Sequence, residues 1–248
     1  MSGHNKWSTI KRKKGAIDAK RSKIFSKIIK EITIAVREGG PDADGNPRLR
    51  VAIANAKGVS MPKENIQRAI GKGSDKDGST FSEPTYEGYV HGIAIFIEST
   101  TDNVQRTVAN VRSIFNKYGG NLGTNGSLSH VFDRKGIFTI PLSNITDMDT
   151  FELEIIDAGA EDIDVDTENG SVTITSAMED FGSIMKKLES MKIETENAQL
   201  QRIPVTTMAA DTETGKKVMR VIDLFEDDDD VQNVYHNMEM TDEMMEEM

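Results

Sequence analysis

The chain has 248 residues, of which 37% are hydrophobic and 29% charged, and it carries a formal net charge of −11 with no cysteine. Without cysteine there is no disulfide, thiol nucleophile or thiolate metal site. The longest aliphatic and aromatic run, Ile93–Ile97, is far short of the roughly 20 apolar residues a membrane helix needs.

The charge is unevenly placed. Residues 1–80 hold 18 Lys/Arg against 8 Asp/Glu, a net of +10, and residues 81–248 hold 12 against 33, a net of −21. The basic part is densest over 3–30, which has ten Lys or Arg and one acid, Asp18. No apolar segment follows this arm, so it does not read as a secretory signal. Its Lys6, Lys11, Arg12, Lys13, Lys14, Lys20, Arg21, Lys23 and Lys27 surround one aromatic, Trp7. Clustered cations neutralise phosphates and release counterions, and an aromatic can stack on an unpaired base. A solvated basic helix face is the competing reading of the charge, and a hydrophobic plug that of Trp7.

Residues 18–38 are predicted helical, with Phe25, Ile28, Ile29, Ile32 and Val36 at helical spacing and Gly39-Gly40 as the stop. Lys20, Lys23 and Lys27 then share one helix face. Asn46 followed by Pro47 predicts an N-cap and first turn for a second helix reaching Gly58. A third opens at Met61-Pro62 and stops near Gly71. Arg48, Arg50, Lys63 and Arg68 add positive charge from these two helices. The Gly-, Ser- and Asp-rich stretch 71–79 reads as a linker.

From Tyr86 the pattern turns to strands, YEGYVHGIAIFIEST, then to a helix with Val104, Val108, Val111 and Phe115 on one side. The glycine-rich GGNLGTNGS (119–127) follows, and then a strand near SLSHVF. Residues 136–202 read as strand, helix, strand, Asn169-Gly170 turn, strand, helix, strand, the ferredoxin-like βαββαβ order. Ser176 and Glu179 are placed as a capping box. This segment is expected to be a separable insertion. A helix over TGKKVMRVIDLFE and a strand VQNVYH should return to the 86–132 sheet, and residues 239–248 are expected to be a frayed acidic tail.

Three features invite chemistry. GGNLGTNGS could cradle a phosphate on its backbone N–H groups, but it follows a helix and lacks the Gly-Lys-Ser/Thr ending, so helix termination plus turns is favoured. The run Glu226–Asp230 could hold a divalent cation, but it lacks calcium-loop spacing and reads better as a solvated acidic edge. His4, His91, His130 and His236 are scattered without metal-ligand spacing. No nucleophile–base pair is evident, so the expectation is a protein without catalysis, cofactor, metal or small-molecule substrate.

GHNKW, KxxxDAKRSKIFSKIIKEI, NPRLRVAI, MPKENIQRAI, YEGY, TDNVQRTVANVR, GGNLGTNGS and DDVQNVYHN, in this order, resemble the YebC family. The likeness covers 3–141 and 223–237, and departs at Val90-His91-Gly92-Ile93, where similar proteins carry a Gly-Pro-Gly-Gly-like stretch. It implies an α+β protein of three domains: a basic arm plus helical domain (1–78), a central α+β domain (79–134 and 203–238) and an inserted ferredoxin-like domain (135–202), before the tail. Family members are described as DNA-binding transcriptional regulators, and mitochondrial relatives as translational activators of cytochrome oxidase. The expected partner is therefore nucleic acid, with no membrane partner and a cytoplasmic location. The alternative is a ribosome-associated factor that binds ribosomal RNA and assists synthesis of proline-rich stretches.

Overall fold

The structure, a computed structural model, describes residues 17–75, 80–241 and 244, with backbone only for 17–20. It contains two compact units: residues 24–78 with 134–201, and residues 1–23 with 79–133 and 202–248.

In the first of these, three helices carry the N-terminal core: α1 (Ile17–Gly39, whose first residues belong to the other unit), α2 (Pro47–Gly58) and α3 (Lys63–Ser74). Ile32, Ala35 and Val36 of α1 meet Leu49, Ala52 and Ala56 of α2 and Ile66 and Ala69 of α3, all buried. Asn46 fixes the α1–α2 corner. Its Oδ1 accepts from Leu49 N at 3.1 Å as the N-cap, and its amide donates to Ala35 O at 2.6 Å and Gly40 O at 2.9 Å. The third helix runs past Gly71 into the expected linker because Gly73 lets it approach α1. A Cβ there would lie 2.7 Å from Val36 Cβ and 2.8 Å from Thr33 O. Residues 76–79 of that linker lie outside the described residues.

The same unit holds a four-stranded sheet from β4 (Phe132–Pro141), β5 (Ala160–Asp166), β6 (Ser171–Ala177) and β7 (Asn197–Pro204), in the order β5-β6-β4-β7. With α5 (Met148–Asp157) and α6 (Phe181–Ser190) this is the βαββαβ connectivity. Phe151, Ile155, Ile184 and Leu188 from the helices bury against Phe138, Ile140, Val172 and Ile174. The capping box does not form. Ser176 sits in β6 between Gly136 and Ala160, its hydroxyl donates to Ala177 O, and α6 begins only at Phe181 without a side-chain cap. Two-sided strand pairing outcompetes the local cap.

The βαββαβ segment also meets the helical core. Asn55 of α2 donates to Ala198 O at 2.8 Å and accepts from Ala198 N at 2.7 Å, while Val51 packs on the sheet's core. At Gly58 a Cβ would fall 1.9 Å from Glu196 O. The second helix therefore lies directly on this segment.

The other unit is built on β1 (Thr85–Val90), β2 (Ile93–Ser99), β3 (Gly120–Leu122) and β8 (Val231–His236), in the order β3-β1-β2-β8 with antiparallel neighbours. His91 and Gly92 make the hairpin turn, both at positive φ (50° and 82°), as a two-residue type I′ connection requires. On one face lie α4 (Val104–Lys117) and α7 (Thr212–Asp227), whose Val111, Phe115, Val218, Ile222 and Phe225 are buried against Val90, Ile95 and Ile97. Val104, expected on this inner side, is exposed. β3 has no counterpart among the predicted strands, and the strand anticipated near SLSHVF is a series of turns, with β4 starting at Phe132. The frayed-tail expectation fails at Met240 and Met244, which are buried in this core with Met238.

Candidate nucleic-acid interface

Of the cationic residues singled out in the sequence, Lys6, Trp7, Lys11, Arg12, Lys13 and Lys14, and the side chain of Lys20, lie outside the described residues. The others divide by what they touch. Arg48 is held by two carboxylates, Glu31 at 2.8 Å and Glu38 at 2.7 Å. Arg50 donates to Ala43 O and Asp44 O at 2.9 and 2.7 Å, tying the loop before α2. These two guanidinium groups serve the helical corner. On α3, Lys63 and Arg68 are exposed, and Arg68 donates to Asn65 Oδ1 at 2.7 Å. On α1, Arg21 is exposed and Lys23 and Lys27 are half-buried. Lys23 Nζ meets Asp227 Oδ1 at 2.6 Å and donates to its carbonyl at 3.1 Å.

The glycine loop has its own anion. Glu87 of β1 is only 4% exposed. Its carboxylate accepts from Gly126 N at 2.7 Å, Leu128 N at 2.6 Å and the Ser127 hydroxyl at 3.3 Å. Backbone donors that could cradle a phosphate are thus spent on an internal carboxylate, while Gly119 at φ 71° follows the end of α4. The sequence did carry the signal, a glutamate in an otherwise buried strand.

The acidic run is not one object either. Asp227 is 71% exposed at its side chain, whereas that of Asp230 is 9% exposed. Asp230 Oδ2 accepts from Arg106 Nη2 at 2.6 Å, Thr107 Oγ1 at 2.9 Å and Thr101 Oγ1 at 3.1 Å. This carboxylate and that of Asp102 raise the Arg106 pKa above its ordinary value. Among the described residues no group of three His, Asp or Glu side chains could hold a metal ion. His91 and His130 are exposed and His236 is buried.

A model of the TACO1/YebC N-terminal domain matches residues 5–76, and one of the TACO1/YebC second and third domain matches 81–238. The chain belongs to the TACO1/YebC family. Among its TACO1/YebC relatives, a protein of Amoebophilus asiaticus is 53% identical over 239 residues, covering 96% of this chain and 98% of its own. One from Geobacter sp. strain M21 is 49% identical over 251 residues, with both chains covered completely. Both bear the name "Probable transcriptional regulatory protein". The crystal structure of a conserved hypothetical protein from Aquifex aeolicus is similar with a TM-score of 0.80 at 40% identity, covering 92% of this chain and 93% of that one. No helix among the described residues of this TACO1/YebC chain is long and apolar enough to cross a membrane.

Proposed function

We propose that the protein is a non-enzymatic regulator of gene expression that binds nucleic acid, as a DNA-binding transcriptional regulator, through residues 1–72. The observation that carries this reading is the +10 charge of residues 1–80 beside the −21 of residues 81–248. Phosphate contacts supply affinity and position the protein, but carry no base information. Lys6, Lys11, Arg12, Lys13 and Lys14 of the arm, with Lys20, Arg21, Lys23 and Lys27 of α1 and Lys63 and Arg68 of α3, form the binding set. Arg48 and Arg50, engaged with protein partners as Lys23 is with Asp227, contribute less. The names of the relatives support the regulatory role.

Salt titration of the full-length protein with labelled promoter DNA tests this. Neutralising roughly six phosphates lowers affinity on the order of 10³-fold between 50 and 200 mM salt. Salt-indifferent binding refutes the reading.

A second reading, ribosomal RNA as the ligand, is favoured by Trp7 within the arm, since single-stranded and looped RNA is held by stacking on aromatics. Sedimentation of a lysate through sucrose separates the two. Co-migration with ribosomal subunits that survives DNase supports the ribosomal reading, and sequence-selective footprints from a protein that stays at the top support the first.

A further inference from the structure

Roughly one residue in five of 81–248 is acidic, yet Asn103 through Phe132 contains no Asp or Glu. Within this acid-free stretch lie Arg106, Arg112, Lys117 and six side-chain amides, Asn103, Gln105, Asn110, Asn116, Asn121 and Asn125. It forms α4, β3 and the loop after it. Arg106 is occupied by Asp230, but Arg112 and Lys117 are exposed and make no ion pair among the described residues.

The chain leads from Lys117 into an edge that carries exposed aromatic side chains. Tyr89 is 41% exposed on β1, although its neighbours Gly88 and Val90 are buried. It pairs with exposed Asn121 across the β1–β3 ladder, so the two side chains share a face at the sheet edge. The hairpin turn brings His91 over the start of β3, its Cε1 3.9 Å from where a Gly119 Cβ would lie. Around that edge Lys117 Nζ lies 5.6 Å from the Tyr118 ring centroid. Alternation puts the carboxylates of Glu87 and Glu98 on the same face as Tyr89, and both are consumed internally. The first is held by the 126–128 donors, the second by Arg202 at 3.1 Å. An otherwise acidic unit therefore presents a sheet edge whose flanking carboxylates are held internally, bearing an exposed aromatic, an imidazole and an amide, with the unpaired Lys117 at the end of α4, on the other side of the sheet, leading into it.

We infer that this edge, centred on Tyr89 with His91, Asn121 and Lys117, is a second nucleic-acid contact, which takes an unpaired strand with a base stacked on the Tyr89 ring. The combination is the one single-strand binders use: cations along the backbone and an aromatic platform that accepts any base. A duplex offers no free base face to Tyr89, so the edge discriminates unpaired from paired nucleic acid. The inference rests on the nucleic-acid reading above, with the arm as the main source of affinity.

The test measures fluorescence anisotropy of the full-length protein with a short labelled oligouridylate and, separately, a labelled DNA duplex. Tyr89→Ala is expected to weaken oligouridylate binding about tenfold and to leave duplex binding within about twofold. Tyr89→Phe, which keeps the ring, restores the parent value. Lys117→Gln reduces the salt slope for the oligouridylate by about 0.7. Circular dichroism confirms that the exposed substitutions leave the fold intact. Equal oligouridylate affinity of Tyr89→Ala and parent overturns the inference alone, provided Lys13→Glu with Lys14→Glu still abolishes binding. A parent protein that binds neither probe overturns both readings.

Discussion

Two aspartates three positions apart in the run Glu226–Asp230 should differ sharply in what their replacement costs. Asp230 accepts from two threonine hydroxyls and the Arg106 guanidinium inside unit core, and its own carbonyl accepts from Thr100 N at 2.7 Å. In Asp230→Ala the Thr101 and Thr107 hydroxyls lose a charged acceptor. Hydrogen bonds to charged groups contribute about 1.5–3 kcal/mol each, but the hydroxyls still have each other at 2.9 Å, so they are not left bare. The half-exposed Arg106 can also turn to water. The balance is about 3 kcal/mol, or a fall in Tm of roughly 6–12 °C for a chain of this size. Asp227→Asn removes only the exposed pair with Lys23, which contributes about 0.5 kcal/mol or less. Scanning calorimetry of the two variants beside the parent measures the contrast. A Tm for Asp230→Ala within 2 °C of the parent would falsify the view that this carboxylate organises the β2–α4 corner.

Lys13→Glu with Lys14→Glu should abolish nucleic-acid binding without lowering Tm, which anisotropy and circular dichroism together check. Asn46→Ala, which loses a cap and two buried hydrogen bonds, should cost about 2–3 kcal/mol in urea unfolding. Gly58→Ala should destabilise by about 3 kcal/mol or more, because the atom it strikes is the backbone oxygen of Glu196 and not a movable side chain. Asp147 and Asp211 cap α5 and α7 by accepting from Thr150 and Thr214, which holds both carboxyls below the usual aspartate range. Their contribution is complete above the ordinary aspartate pKa and is lost as pH falls through the depressed folded values; Asp211→Asn should flatten the acid limb of a stability-versus-pH curve. Asn at Asp227, Asp228 and Asp229 together, sparing the buried Asp230, should raise affinity for non-specific DNA at low salt, measured by anisotropy.

What was legible in the sequence was whatever local pattern decides. The spacing of Ile32 and Val36, the Asn46-Pro47 cap and the Asn169-Gly170 turn each specify their own neighbourhood, and helices and strands form there. The misses are places where a distant partner wins. Ser176 and Glu179 have capping-box spacing, yet β6 takes Ser176 because it is hydrogen-bonded on both sides. Gly120–Leu122 has only three residues and two of the three are ordinary loop formers, so its strand character comes entirely from pairing with β1. Met240 and Met244 sit in an acidic, polar tail by composition, and only Gly215, whose missing side chain leaves room 2.8 Å from Met244 Cε, explains how that tail reaches the core. In the candidate interface, the cation count was visible in the chain, whereas the pairing of Arg48 with Glu31 and Glu38 was not.

The way this protein handles its acids bears directly on function. A chain with −21 on 168 consecutive residues repels a polyanion unless the repulsion is shaped. Buried and half-buried acids here are neutralised from within: Glu87 by loop amides, Asp230 by Arg106 and two threonines, and the half-buried Glu98 by Arg202, whose guanidinium also lies 3.8 Å from the centre of the Phe96 ring. The repulsive charge therefore resides on exposed carboxylates such as Asp227, and on β5, where Glu161, Asp162, Asp164 and Asp166 line a sheet edge and also discourage pairing with other chains. The charge then follows sequence position: positive over residues 1–80, negative over most of residues 81–248, and an acid-free window between Asn103 and Phe132. Like-charge surfaces reject wrong docking orientations at several kcal/mol and so contribute to specificity more than to affinity. On the proposed reading, a nucleic acid meets the least repulsion from residues 81–248 along the acid-free stretch, whose β3 pairs with the strand that carries the exposed Tyr89.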